Sequence, residues 1–323
     1  MSSLTAAAGG RRGRLADPIF RSLTRLAAVL VLGILVAITV FLLVQAVPAI
    51  RSDHGSFWTT FGWDPDTAGL FGVAAVAFGS ALSSALALLM AFPIALGVAL
   101  YVVVYAPRRI AHLLGYLTDM LAAIPSVVYG LWGLYFLVPH LIGLQHFLAR
   151  HLGFIPLFAN SQDATSVASK SVFAASLVLA IMIIPIISAI SREVLAQVEP
   201  AQREAALALG ATRWEMIRTA MLPVSRPGMV GAVILGFGRA LGETIAVALV
   251  LGTGYTINAH ILLPGKLETI AALIANQFGE AGPVGRGALM AAGLVLFAMT
   301  MGVAVVARAI IYRAGAVERS AAV

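Results

Sequence analysis

An all-α, polytopic membrane protein of about six transmembrane helices is what this sequence predicts, on three observations. Its 323 residues are 60% hydrophobic and only 11% charged, against about 25% charged in an ordinary soluble domain. Apolar stretches of roughly 20 residues, long enough to cross a hydrocarbon core, recur from end to end. No soluble-looking block separates them, so lipid must solvate most of the surface. The net charge of +7 is no sign of nucleic-acid binding, because the basic residues gather in a few short loops. There are no cysteines, which excludes disulfides and cysteine-metal sites.

Six spans follow in order: Leu26 to Ala49, Phe71 to Tyr105, Leu113 to Val138, Ser171 to Ile190, Pro227 to Leu251, and Ala288 to Ile311. The second is longer than a crossing needs, and Pro93 is placed to kink it. The first apolar run, about 24 residues, exceeds the roughly 7–15 of a signal h-region, and it is expected to stay as an anchor. Ahead of it, Asp17-Pro18 reads as a helix start. Ile19, Phe20, Leu23 and Leu26 then repeat at helical spacing, which suggests a short interfacial helix.

Orientation comes from the arginines. With the N-terminus inside, the inner segments hold fifteen, while the outer loops hold only Arg51, Arg150, Lys170 and Lys266. By the positive-inside rule both termini are expected in the cytoplasm. Residues 1–25 are then a cytoplasmic tail with its interfacial helix, 26–311 the membrane domain, and 312–323 a cytoplasmic tail.

The longest inner loop, about 191–226, carries a motif. Pro200 suits a first helical position, and Ala201 to Leu209 contains strong helix formers. Gly210 fits a left-handed helix end. Thr212-Arg213-Trp214-Glu215 reads as a capping box opening a second helix, which Pro223 is expected to end. Glu204-Ala205-Ala206, Gly210 four residues on, and Leu222-Pro223 beyond it together resemble the EAA loop of ABC importer permeases. Ala220 stands where that family usually carries a β-branched residue. The resemblance implies the type I ABC importer permease fold. It also implies that Glu204, Ala205, Ala206, Gly210, Leu222 and Pro223 belong to the element that couples the membrane domain to a separate ATPase. The chain has no phosphate-cradling loop of its own, since neither Lys170 nor Lys266 lies in a Gly-Lys-Ser/Thr setting. It is expected to be a transport subunit and not an enzyme, holding no cofactor itself, with ATP and magnesium bound by the partner.

Arg239 falls midway along the fifth expected span, and Glu243 one turn further on the same face. A charge at the bilayer centre costs about 2.5–3.5 kcal/mol on insertion scales. Two readings stay open. One is a structural ion pair that orients the span. The other is an anion path, because the planar guanidinium fork matches oxyanion geometry and keeps its charge. Here a closer resemblance enters. Gly238-Arg239-Ala240-Leu241-Gly242-Glu243-Thr244 is similar to a segment of the PstC-type phosphate permeases. So are Ile124-Pro125-Ser126-Val127-Val128-Tyr129-Gly130 and Ala180-Ile181-Met182-Ile183-Ile184-Pro185. The likeness runs from the first span to the sixth. It implies phosphate translocation past Arg239 and Glu243, with three kinds of partner: a PstA-like permease, a PstB-like ATPase dimer, and a PstS-like extracytoplasmic phosphate-binding protein. A permease for another oxyanion, molybdate or sulfate, is the neighbouring possibility, and an ion-driven secondary transporter the more distant one.

Other polar groups carry less. His140, His146 and His151 are spaced as no common metal motif is. Asp119 is expected to pair with Arg108 or Arg109, or to line a path. Pro125-Ser126 would open a polar break in the third span or merely kink it.

Overall fold

The computed structural model describes residues 10–159, 170–265 and 267–321. Helix α1 (Gly10–Ser52) leads through a short hairpin, β1 (Trp63–Asp64) with β2 (Leu70–Phe71), into α2 (Ala74–Leu100). Then come α3 (Arg108–Ala122), α4 (Ser126–Trp132), α5 (Val138–Leu152) and α6 (Val172–Ala196). The loop helices α7 (Pro200–Ala208) and α8 (Arg213–Met216) precede α9 (Leu222–Leu241), α10 (Ile245–Val250), α11 (Ile270–Gln277) and α12 (Pro283–Ala321). Among the described residues, six helical stretches are long and apolar enough to cross a membrane, in agreement with the expected number.

α6 is the hub. Its crossing segment is the most buried of the six, 61% inside the molecule, and α2, α3 and α9 pack directly on it. On α2, Ala75, Gly79, Ser83, Ala87, Ala91, Ala95 and Ala99 recur every fourth residue, and all are buried. In lipid no hydrophobic force drives helices together, so a small-residue face that admits close van der Waals contact does that work. Gly228 and Gly236 serve the same end on α9, because a methyl at Gly236 would sit 2.6 Å from the Ile187 side chain of α6. A second core lies where α1, α11, α12 and the hairpin meet, around Phe57, Phe71, Ile270 and Leu289. There Asp66, in the hairpin turn, accepts from the Gly282 and Gly285 N–H groups at 2.8 and 2.9 Å. It thereby satisfies free donors at the start of α12.

Beside this second core, Glu268 is almost fully buried. Its Oε1 accepts from the Asn276 amide at 2.9 Å, and its Oε2 has no partner among the described residues. Burial pushes the Glu268 carboxyl up and the neighbouring Tyr255 hydroxyl up to about 12.

Four expectations need correction. The third crossing stretch is Ser126–Leu152, not Leu113 to Val138. α3 is a separate amphipathic helix that ends at Ala122, and Pro125 adopts an extended backbone, φ −58 and ψ 138. Pro125 has no N–H to give the Leu121 carbonyl four residues back. That carbonyl accepts from the Ile124 N–H at 3.3 Å and from the Tyr129 hydroxyl at 2.9 Å. Asp119 pairs with neither Arg108 nor Arg109. It accepts from Arg192 of α6 at 2.7 Å, which ties α3 to the hub.

Pro223 does not end the second loop helix. It sits in the first turn of α9, after a π-helical turn at Ile217–Met221 has shifted the register. There a missing N–H removes nothing that the new helix needs. Lastly, helix is already under way from Gly10 and passes Asp17-Pro18 without a break into the first span. Residues 1–9 of the expected tail lie outside the described residues, and helix continues past the expected C-terminal boundary to Ala321.

Candidate functional site

The fifth expected span is interrupted at the residues that matter. α9 stops at Leu241, Gly242 closes it with a bond to the Gly238 carbonyl at 3.1 Å, and α10 begins only at Ile245. Glu243 is therefore not one helical turn beyond Arg239 on a continuous face. It lies in the break, 8% exposed, and its Oε1 accepts from the Ala246 N–H at 3.4 Å at the start of α10. A carboxylate there meets the positive end of the helix dipole. Among the described residues the ion pair formed is Arg192–Asp119, and none joins Arg239 to Glu243. The open backbone at this depth is tolerable because it borders a cavity.

That cavity holds about 830 Å³ and collects Arg239 and Glu243 with Ile186 of α6 and Ala304 and Arg308 of α12. From α9 come Gly231, Ile234, Leu235, Gly238, Arg239 and Gly242. These six fall at i, i+3, i+4, i+7, i+8 and i+11, so one face of α9, carried on into its Gly242 cap, forms the wall. A methyl group at Gly231 or Gly238 would meet no atom within 4 Å, which shows how open this wall is. Arg239 is exposed to the space. The arrangement is an apolar groove with two guanidinium groups and one anchored carboxylate. Chemically it can hold an oxyanion briefly, with charge-assisted bonds and little else to trap it.

Sequence reasoning identified Arg239 and Glu243 but missed Arg308. It counted that residue among the charges that set topology, although the α9 face itself was readable from spacing.

The loop that carries the other expected residues is built as the sequence indicates, Pro223 excepted. Gly210 has φ +85, a conformation that side chains with a Cβ resist. The Gly210 N–H reaches the Leu207 carbonyl at 3.0 Å and the Ala211 N–H the Ala206 carbonyl at 3.2 Å, a Schellman ending. Thr212 and Glu215 form the capping box, with the Thr212 N–H donating to Glu215 Oε2 at 2.7 Å. Glu204 and Ala205 are exposed, while Ala206 and Leu222 pack on the small core of Leu195, Ile217 and Met221 beneath. Arg203 donates to the Leu195 carbonyl at 2.6 Å, so α7 is fastened to the end of α6. Leu207, Leu209 and Trp214 are large apolar side chains left exposed on this short loop, Leu209 at 89%.

Helices that cross, one of them broken at a charged groove, together with a capped helical loop fastened to the central helix, define a membrane permease subunit. Comparison with known proteins agrees. Residues 91–314 match the model of the family described as binding-protein-dependent transport system inner membrane component. The chain is 41% identical over 304 residues to phosphate transport system permease protein PstC 2 of Mycobacterium tuberculosis, covering 93% of each. It is 38% identical to phosphate transport system permease protein PstC of Xylella fastidiosa, covering 96% of this chain and 95% of that one. A bacterial ABC transporter involved in alginate import shares the fold at a TM-score of 0.55 and 17% identity, over 93% of this chain and 99% of that one. The chain belongs to the family of binding-protein-dependent transport inner membrane components, and within it to the PstC permeases. It has the type I ABC importer permease fold and is a multi-pass inner membrane protein.

Proposed function

We propose that this chain forms one wall of the membrane path of an ATP-driven phosphate importer, with Arg239 and Glu243 at the contact point for the anion. The observation that carries this is the groove. A guanidinium without an ion-pair partner among the described residues faces an open cavity beside a carboxylate held by a helix start. Apolar residues would serve stability at least as well as these charges. The groove opens on a face of the chain, as one half of a path requires, and a PstA-like subunit of similar fold would close it. The chain belongs to a family of transport components named for dependence on a binding protein, and a PstS-like phosphate-binding protein would deliver the anion. A PstB-like ATPase dimer, holding ATP and magnesium, would seat the exposed Leu207, Leu209 and Trp214 in a groove of its own. Movement there would reach the path through Arg203 and α6, whose Ile186 lines the cavity.

The test is uptake by the reconstituted complex. Phosphate should enter only with ATP inside, and Arg239→Gln should lower uptake by about tenfold or more, the loss of one charge-assisted contact. Assembly should be unaffected. Sulfate or molybdate competing as strongly as phosphate would reassign the substrate, and transport by this chain alone on an ion gradient would remove the ATPase from the account.

A further inference from the structure

We propose that Arg308 is a second anion-contacting residue of the same path, receiving a phosphate-type oxyanion from the α12 side of the groove. This rests on the groove being the anion path. Arg308 and Ala304, one turn apart on α12, line the same cavity as Arg239 and Glu243.

Charge makes the first case. Arg239 and Glu243 cancel, so a groove with those two alone would offer an anion no net attraction. Arg308 makes the three-residue set net positive, so the groove attracts an anion that the neutral pair alone would not.

Availability makes the second. Arg192 is occupied by Asp119, Arg203 by backbone carbonyls, and Arg213 and Arg286 lie over the rings of Tyr105 and Phe278. Like Arg108, Arg109 and Arg218, Arg239 and Arg308 have no hydrogen-bond, ion-pair or ring partner among the described residues. They are also the two arginines that share this cavity. Small neighbours keep the approach open, Ala304 beside Arg308 and Gly238 beside Arg239.

Two arginines on different helices suit release as well as capture. The anion can exchange one fork for the other as α9 and α12 shift, instead of leaving a single tight site.

The same guanidinium chemistry would also hold an anionic phospholipid headgroup, and the experiment separates the two. The complete complex carrying Arg308→Gln or Arg239→Gln is reconstituted in phosphatidylcholine vesicles with and without phosphatidylglycerol, and uptake of inorganic phosphate is measured. Arg308→Gln should lose about tenfold or more of its uptake rate in both lipids, comparable with Arg239→Gln. Loss only in the anionic vesicles would mean a headgroup contact and overturn the proposal. Unchanged uptake with Arg308→Gln, beside a defective Arg239→Gln, would overturn it and leave the path reading intact. Unchanged uptake in both variants would overturn both.

A measurement on the unmodified complex guards against failed assembly of the variant. Inorganic phosphate should protect Arg308 and Arg239 together from an arginine-selective dicarbonyl reagent in detergent free of phospholipid. Protection of Arg239 alone refutes the role of Arg308.

Discussion

Glu268 and Arg239 are both ionisable groups away from bulk water, and their surroundings give them opposite fates. Arg239 looks into an open groove, where the proposed path would bring an anion to it. Glu268 is enclosed beside the Tyr255 hydroxyl, with the Asn276 amide on one oxygen and no hydrogen-bond partner for the other among the described residues. Burial therefore holds its pKa above the ordinary 4.5, so over the interval above that value the folded chain keeps a proton that the unfolded chain has lost. The stability this group contributes is complete at low pH and falls as pH rises through the raised value. Glu268→Gln, which still accepts from Asn276 and is always neutral, should escape that fall. Thermal unfolding at about pH 5 and about pH 8 should show the variant gaining on the parent at the higher pH. A difference that does not change with pH would show that Glu268 is ionised in the folded chain.

At the level of helices and turns, Gly210 is the position where a local rule carries a long-range task. Its φ of +85 costs a residue with a side chain roughly 1–2 kcal/mol, and a β-branched one more. Gly210→Val should unseat the turn between α7 and α8 and lower the amount of ATPase that co-purifies, while insertion of the six spans is unchanged. Normal ATPase recovery would show that this loop is not the coupling surface.

The same scale shows what the sequence made readable. The Gly210 ending and the Thr212–Glu215 capping box could be placed from sequence because both depend on residues within five positions of each other. The prolines could not. At Pro125 the sequence left a break and a kink both open, and the structure has the break, with the Tyr129 hydroxyl of the next helix donating to the Leu121 carbonyl. Pro223 was read as an end and is a beginning, because the π-helical turn before it resets the register. The candidate site was half legible. The Arg239 segment stood out by its charge, but the interruption at Gly242–Thr244 turns Glu243 away from the pairing its spacing suggested. Arg308 belongs to the site through tertiary packing of α12 on α9, which no local pattern reports.

Over the whole molecule, α2 and α9 pack on α6 at the centre, while the first and last helices have their own bond. α1 packs along α12, with Ala46 and Ala49 buried in the second core. Asp66, just after α1, holds the start of α12 through two backbone N–H groups. Gly282 and Gly285 leave it room, since a methyl at Gly282 would meet Asp66 Oδ1 at 2.6 Å. Removing such a cap costs about 1 kcal/mol. Asp66→Ala should lower stability by that amount, read from the unfolding midpoint of the purified chain, with Asp66→Asn recovering part of it. No change in the midpoint would mean that water satisfies those donors equally well.

The clasp has a consequence for the order of synthesis. Asp66 leaves the ribosome 216 residues before Gly282, the first group it must hold. Through most of translation α1 sits in the bilayer with its packing face unmatched, and four further spans are laid down before its neighbour arrives. The last helix to be made is the one that completes the site of the first. A nascent chain that stops short of Gly282 leaves Asp66 without its helix and α1 with bare alanines.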